Sequence, residues 1–395
     1  MTSPWHLSRD DQHGNRASRG PGEVALGRDG LMHRVLLLTS HPVDGRDGAD
    51  KELAVSIARG MPGLNFTFFT RAGQDAPMSG RGVKILSRAG SPGVLERTQV
   101  ALRVPRLTRS ADLVHAVMTI GRQYAAWSRS RWSPRNRPVV LTVPGVVAPE
   151  CLHRSRPLGV AVALTEVTAG LLRDAGYQDV RVVPPGIDLT RWRHVPRQTA
   201  NRPVLFFAGH AGADGGTHQA IEVAAGVVRR GVPVRLVLAL RTRPGQDESR
   251  ELAAANVAAR TAGLEDVEIC GRRDMTEAIA AADVVLFTPD RLADGKADVP
   301  LVVIEALASG RPVVATRLPH LAALSDVVVQ VPAGAVDEAS DRVRMLLTNP
   351  VRWQELSIRG RAAVEARFSA ERMCRSYASI YRELLKDHRL RHGFP

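Results

Sequence analysis

The chain has 395 residues and 44% apolar side chains, enough for two domains of ordinary size, each with its own core. Its net charge is +14, but all except four of its 54 basic residues are Arg, aromatics are 4%, and no RNA-binding signature is present, so nucleic acid is not the expected partner. No apolar run approaches the ~20 residues of a membrane helix, and three scattered cysteines, Cys151, Cys270 and Cys374, indicate a reducing, cytoplasmic setting with no metal cage.

Residues 1–32 are polar and rich in Gly, Pro and Arg, without an apolar core, and read as a disordered leader rather than a signal peptide, with Met32 as an alternative start. From 34 to 368 strand and helix signals alternate, as in doubly wound α/β folds. Val35-Leu-Leu-Leu is a short, fully apolar run, as for a buried parallel strand. A Gly-containing loop over 41–48 leads to an amphipathic helix at about 49–59. A strand end, a Gly turn and a helix start form the crevice where open α/β sheets bind ligands. Further strands are expected at 65–70, 83–86, 112–116, 138–143 and 159–164. His115 ends the run Asp-Leu-Val-His. Two readings stand for it: a group facing the crevice, or a satisfied core histidine.

Residues 97–137 hold nine Arg against one Asp. Leu102, Val104 and Leu107, with Arg103, Arg106 and Arg109, form a basic amphipathic pattern suited to peripheral contact with an anionic membrane or to an acidic acceptor. Pro105 interrupts the pattern, which favours a solvated face. Thr165 caps a helix to about 175. At 180–188, Pro184 and Pro185 stiffen the chain, Gly186 permits a turn and Asp188 closes it. A polar linker over 191–202 follows, and a strand at 203–209 opens a second α/β unit.

After Gly209 comes His210-Ala-Gly-Ala-Asp-Gly-Gly216, then a helix over 217–230. A Gly-rich loop ahead of a helix can bind phosphate through backbone N–H groups. Strands at 234–239, 267–270 and 283–288 are followed respectively by Arg241, by Gly271-Arg272, and by a polar loop carrying Lys296 just before Asp298. Phe368 opens a closing helix with Ser369 as N-cap.

The stretch Asp298-Val-Pro-Leu-Val-Val-Ile-Glu-Ala-Leu-Ala-Ser-Gly-Arg-Pro-Val-Val-Ala315 is the most informative. Its apolar run is broken only at Glu305 and stops at Gly310, with Pro312 two residues on, the usual end of a helix. A carboxylate inside such a helix costs several kcal/mol unless solvated or hydrogen-bonded. Either Glu305 looks into a cleft, where it can accept two hydroxyls such as a ribose diol, or it is the single wet position of a core helix. The helix start, Pro300-Leu301-Val302, offers free N–H groups to a phosphate.

The pattern apolar-Glu-Ala-apolar-Ala-x-Gly-x-Pro-Val-Val, with 180–188 and 368–385, resembles the retaining GT-B glycosyltransferases, the large family 4 group. That resemblance implies two Rossmann-like domains facing each other across a cleft. It implies an acceptor-binding domain at 33–186, a nucleotide-sugar-binding domain at 187–368, and a helix over 369–395 crossing back to the first. It implies transfer of a sugar from a nucleotide-diphosphate sugar to an acceptor hydroxyl, without metal or other cofactor. Glu305 falls on the second Glu of the family's E-x7-E motif, the ribose ligand; the first falls on Ala297. Asp298, next to that vacant place, is the candidate for donor-sugar hydroxyls, and His115 is the second catalytic candidate. His210 and Gly215 replace the Arg and Lys that clamp the diphosphate, and Lys296 is the candidate substitute cation. Gly209, Gly216, Arg241, Gly271, Arg272, Pro300, Leu301 and Val302 complete the expected donor site. Gly45 and Gly48 would be the acceptor loop, although Ala49 replaces the second Gly of the family's pair. Pro144 stands where many relatives place a sugar-contacting His. Two rivals remain: a nucleotide-sugar epimerase or phosphorylase on the same scaffold, and a degenerate partner subunit of an active transferase. A phosphorylase of the pyridoxal type lacks a promising lysine.

Overall fold

The computed structural model describes residues 32–40, 42–43, 49–72, 80–86, 94–130, 133–134, 136–197, 202–212, 215–242, 246–271 and 273–392. Gly45, Gly48, Arg272 and nearly all of the expected leader lie outside them. The apolar runs become two parallel sheets. The first contains β1 (Arg34–Thr39), β2 (Asn65–Arg71), β3 (Arg81–Ile85), β4 (Leu113–Val117), β5 (Val139–Val143), β6 (Val160–Ala163) and β7 (Val180–Val182), in the order β3-β2-β1-β4-β5-β6-β7. Its helices are α1 (Ala49–Arg59), α2 (Val94–Ser110), α3 (Arg122–Arg129), α4 (Pro149–His153) and α5 (Glu166–Asp174).

The second sheet contains β8 (Val204–His210), β9 (Arg235–Arg241), β10 (Val267–Cys270), β11 (Val284–Phe287), β12 (Val313–Thr316) and β13 (Val329–Val331), in the order β10-β9-β8-β11-β12-β13. It carries α6 (Thr217–Arg229), α7 (Glu248–Thr261), α8 (Met275–Ala281), α9 (Leu301–Ala308), α10 (Val336–Thr348) and α11 (Pro350–Arg367). Strands β4, β5, β6, β11 and β12 are buried along their whole length, which is why they read as unbroken apolar runs rather than alternating ones. The expected pair of Rossmann-like lobes is therefore what the chain forms.

The chain crosses between lobes at two adjacent places. Ile187 N–H donates to Phe368 O at 2.8 Å and Ala370 N–H returns to Ile187 O at 3.0 Å. At Gly186 a Cβ would sit 2.5 Å from the Ala370 Cα, so only glycine lets the two crossings touch. Beyond them α12 (Ala370–His392) lies against the first lobe. Ser369 Oγ accepts from Arg372 N–H at 3.3 Å, the cap read from sequence. Asp188 closes the turn after the crossing, accepting from Thr190 N–H at 2.8 Å and Thr190 O–H at 2.7 Å.

One local expectation fails. Pro105 does not interrupt α2, which runs unbroken from Val94 to Ser110. A proline inside a helix loses one hydrogen bond and costs ~3 kcal/mol. Here the burial of Val104 and the partial burial of Leu107 against the first sheet hold the helix together. Leu95 and Leu102 stay on its outside, 65% and 70% exposed.

Candidate functional site

The segments that follow β5 in the first lobe and β11 in the second meet where Gly145 bridges Ala297, and α9 begins four residues later. Val303, Ile304, Ala306, Leu307 and Ala308 of α9 are fully buried, which fixes the helix on its sheet. Gly310 ends it at φ +75°, a left-handed turn natural to glycine. Glu305 is half-buried on this helix. Burial, and after it Glu52 of α1, raise its carboxyl to about 7 against the opposing pull of Arg191 and Arg241. Glu52 belongs to the first lobe and Arg241 to the end of β9, so the carboxylate lies between lobes. No side chain caps α9 at Pro300, and Leu301 and Val302 are half-buried at its start. That leaves their N–H groups for an anion.

The glycine loop packs on Thr288 and Pro289, where the segment leading to α9 begins. Gly216, at φ +85°, is the N-cap of α6, and no side chain caps that helix either. A Cβ on Gly216 would come 2.5 Å from Pro289 N, while Thr288 O–H donates to Gly216 O at 2.7 Å. A Cβ on Gly215 would come 2.0 Å from His210 O, so the Lys expected from related enzymes has no room here. Thr217 O–H donates to His210 O at 2.8 Å, closing the loop. Gly209 is likewise crowded, its Cβ position 2.6 Å from the Phe207 ring. His210 stands opposite Arg241 in the β8–β9 ladder, and Ala211 N–H donates to Arg241 O. Gly271 ends β10, where a Cβ would lie 2.5 Å from Glu248 Oε1. The structure thus gathers Gly209, His210, Gly215, Gly216, Arg241, Glu305 and the α9 start at one end of the second sheet.

Asp298 is corrected by the geometry. It is fully buried, and its oxygens accept from Thr165 O–H and Thr168 O–H, each at 2.8 Å, with His320 Nε2 3.3 Å away. Burial raises its carboxyl, and the two threonine bonds and His320 oppose that rise. The first lobe's α5, not a sugar, occupies both oxygens. His115 is corrected too. In β4 it shares a face with Leu113 and Val117, the face covered by α1 and α12. It is fully buried, with Nδ1 2.6 Å from Tyr381 Oη and Nε2 2.8 Å from Thr142 Oγ1. Burial alone lowers it to about 3, so it is neutral and points into the core rather than the cleft.

Lys296 is half-buried, and its carbonyl accepts from Val146 N–H of the first lobe at 2.8 Å. The sequence reading missed Glu52, Arg191, Thr165 and Thr168 as partners of the two carboxylates. An acid in a helix's first turn and a Thr at an N-cap are ordinary helix-terminus residues, so neither carried a distinguishing signal.

Residues 202–349 match the family described as glycosyl transferases group 1. The chain is 30% identical over 296 residues to the D-inositol 3-phosphate glycosyltransferase of Saccharomonospora viridis, an alignment covering 69% of this chain. The chain spans 65% of that relative's length. Among solved structures it resembles HepE from Anabaena in complex with UDP, with TM-score 0.71 and 17% identity over 89% of this chain and 100% of that one. It also resembles sucrose-phosphate synthase from Thermosynechococcus elongatus, with TM-score 0.66 and 17% identity over 90% of this chain and 100% of the other. Residues 202–349 therefore match the family described as glycosyl transferases group 1, in a chain whose two α/β lobes have the fold of the solved GT-B structures.

Proposed function

We propose that the chain is a metal-independent, retaining glycosyltransferase that moves a sugar from a nucleotide-diphosphate donor to an acceptor hydroxyl. The observation that carries this is Glu305, a half-buried carboxylate on the uncapped helix α9 whose electrostatic neighbours are Glu52 of the first lobe and Arg191 and Arg241. Glu305 would accept the two ribose hydroxyls. The N–H groups of the Gly215–Gly216 loop and of Leu301 and Val302 would hold the diphosphate, with Arg241 and Lys296 supplying positive charge. Retention is read as front-face attack. The acceptor oxygen bonds to the anomeric carbon as the bond to the phosphate oxygen breaks, and the acceptor proton passes to the leaving phosphate. No protein base is required, which accords with both catalytic candidates, Asp298 and His115, being buried.

The HepE complexes contain UDP or UDP-glucose, so UDP is the first nucleotide to try. The inositol 3-phosphate enzyme suggests a phosphorylated polyol as acceptor class. A thermal-shift and calorimetric screen of UDP, GDP, ADP and dTDP is expected to find one that binds, and Lys296→Ala is expected to weaken it about tenfold while barely changing binding of the nucleoside. If no nucleotide binds, the reading fails; if Lys296→Ala leaves both affinities unchanged, Lys296 is not the cation.

A second reading, a partner subunit without activity of its own, is favoured by one observation. Positions 144 and 297, where relatives place sugar ligands, hold Pro and Ala. Release of nucleoside diphosphate from UDP-glucose, GDP-glucose or ADP-glucose by the purified chain would exclude that reading.

The setting is proposed to be cytoplasmic; among the described residues no helix is long and apolar enough to cross a membrane. Peripheral membrane contact is proposed through α2, where exposed Leu95 and Leu102 share the helix with exposed Arg103 and Arg106. Cosedimentation with anionic but not neutral vesicles is expected, reduced by Leu95→Ser/Leu102→Ser. Equal pelleting of the double variant would dispose of this contact.

A further inference from the structure

The lobes meet at a second place besides the chain crossings. Directly after β5, Gly145 forms an isolated antiparallel bridge with Ala297, which directly precedes Asp298. Three backbone hydrogen bonds across the lobes and one within the loop support it. Val146 N–H donates to Lys296 O at 2.8 Å, Gly295 N–H to Val146 O at 2.9 Å, and Asp298 N–H to Pro144 O at 2.9 Å, while Lys296 N–H closes the loop onto Ala293 O at 3.1 Å. The buried Asp298 carboxylate adds the two threonine hydroxyls of the first lobe. The joint is glycine-dependent, since a Cβ on Gly145 would come 2.8 Å from Lys296 O and 2.9 Å from Thr119 Oγ1.

This joint lies on one continuous path. The segment begins at Thr288 and Pro289, packed on Gly216 of the glycine loop. It runs through the bridge to Asp298 and on into α9, which carries Glu305. Both halves of the second lobe's proposed diphosphate seat are thus tied, through one segment, to the first lobe. A buried carboxylate that accepts from two hydroxyls of the opposite lobe, with a histidine of its own lobe beside it, is costly to separate. A backbone bridge of a single residue pair, by contrast, can open without unfolding either sheet.

We propose that residues 144–146 and 295–298, with Thr165, Thr168 and Asp298, form an interlobe clasp that sets the distance between the lobes, and that Asp298 is a positioning residue for the donor site rather than a ligand of the sugar. The clasp aligns the α9 start and the Gly216 loop with whatever the first lobe presents. Only the kinetic part of this inference rests on the glycosyltransferase reading; the conformational part does not.

The test compares wild type with Gly145→Ala, which wedges the bridge by sterics alone, and with Thr168→Val, which removes one buried donor to Asp298 at nearly constant shape. Solution X-ray scattering of the ligand-free chain is expected to give a larger radius of gyration for Gly145→Ala than for wild type, with thermal melting confirming that both lobes stay folded. With donor hydrolysis as readout, kcat is expected to fall on the order of tenfold in both variants, because a misalignment of about 1 Å is expensive in rate. Binding of UDP, GDP, ADP or dTDP should change less than about threefold in Thr168→Val, because that substitution leaves Lys296 and the second lobe's proposed contacts in place. Unchanged scattering for Gly145→Ala together with unchanged kcat for Thr168→Val would overturn the clasp. An expanded Gly145→Ala in a protein whose wild type binds none of UDP, GDP, ADP and dTDP would uphold the clasp and overturn the transferase reading instead. Equal loss of nucleotide affinity and of kcat would show Asp298 acting on the ligand itself, against the positioning role.

Discussion

Glu305→Gln is expected to make the ligand-free protein more stable at pH 8 by about 2–3 kcal/mol while weakening the cognate nucleoside diphosphate at least about tenfold. Burial and Glu52 raise the folded carboxyl to about 7 against 4.5 in a free chain. A raised carboxyl contributes stability below its unfolded value and loses it as pH climbs through the folded one. A tenfold change in proton affinity between folded and unfolded chain corresponds to ~1.4 kcal/mol, so ionising Glu305 inside the apo cleft costs roughly 3 kcal/mol above pH 7. The gain from Gln should therefore be full at pH 8, roughly half as large near pH 5.5, and close to zero at pH 4.5, read by urea unfolding at each pH. Ligand binding should move the other way. An ionised carboxylate is the better acceptor for a diol, so wild-type affinity should rise as pH passes 7, whereas the variant's should be flat. A Gln variant no more stable than wild type at pH 8 would mean that Glu305 is well solvated, and the ribose assignment would lose its physical basis.

The second large effect has the opposite sign in pH. His115 is buried neutral and lowered to about 3 from 6.5. A depressed histidine contributes stability fully above pH 6.5 and loses it as pH falls toward the folded value, because the unfolded chain takes up the proton first. By pH 4.5 the loss is about 2–3 kcal/mol. His115→Gln is expected to be the less stable protein at pH 7, since it breaks the contacts to Tyr381 and Thr142. Its deficit relative to wild type should shrink by about 2–3 kcal/mol between pH 7 and pH 4.5. A deficit constant with pH would show the imidazole to be charged or solvated in the fold. In wild type the His115 and Glu305 effects oppose one another over pH 4.5–6.5, so each variant exposes the slope that the other residue conceals.

Much of the scaffold could be read from residue order because buried parallel strands leave continuous apolar runs. Val35–Leu38 and the strands around Val285 and Val314 were legible for that reason, and the α9 helix was legible from its Gly310 stop. What sequence could not convey was orientation. His115 occupies a strand whose two faces are both buried, so no polar alternation reveals which face it shares. Asp298 lies 133 positions from Thr165 and 130 from Thr168, and nothing local to any of the three announces the pairing. Pro105 misled because helix propensity was weighed without the packing of Val104 that overrides it. At the site, Glu305 stood out because an isolated acid in an apolar helix is conspicuous. Glu52 did not, because acids are commonplace where helices begin.

The placement of α12 has a consequence for how the protein is made. Met373, Cys374, Tyr377 and Tyr381 are buried in the same apolar cluster as Val35, Leu37 and Ile57 of the first lobe. A Cβ on Gly60 would meet the Cys374 sulfur, so the closing helix nests directly on α1. A nascent chain leaving the ribosome has every strand of its first sheet long before this helix exists. The N-terminal lobe must wait with an open apolar flank until α12 has emerged, and the C-terminal lobe, though synthesised later, is the first that can finish folding.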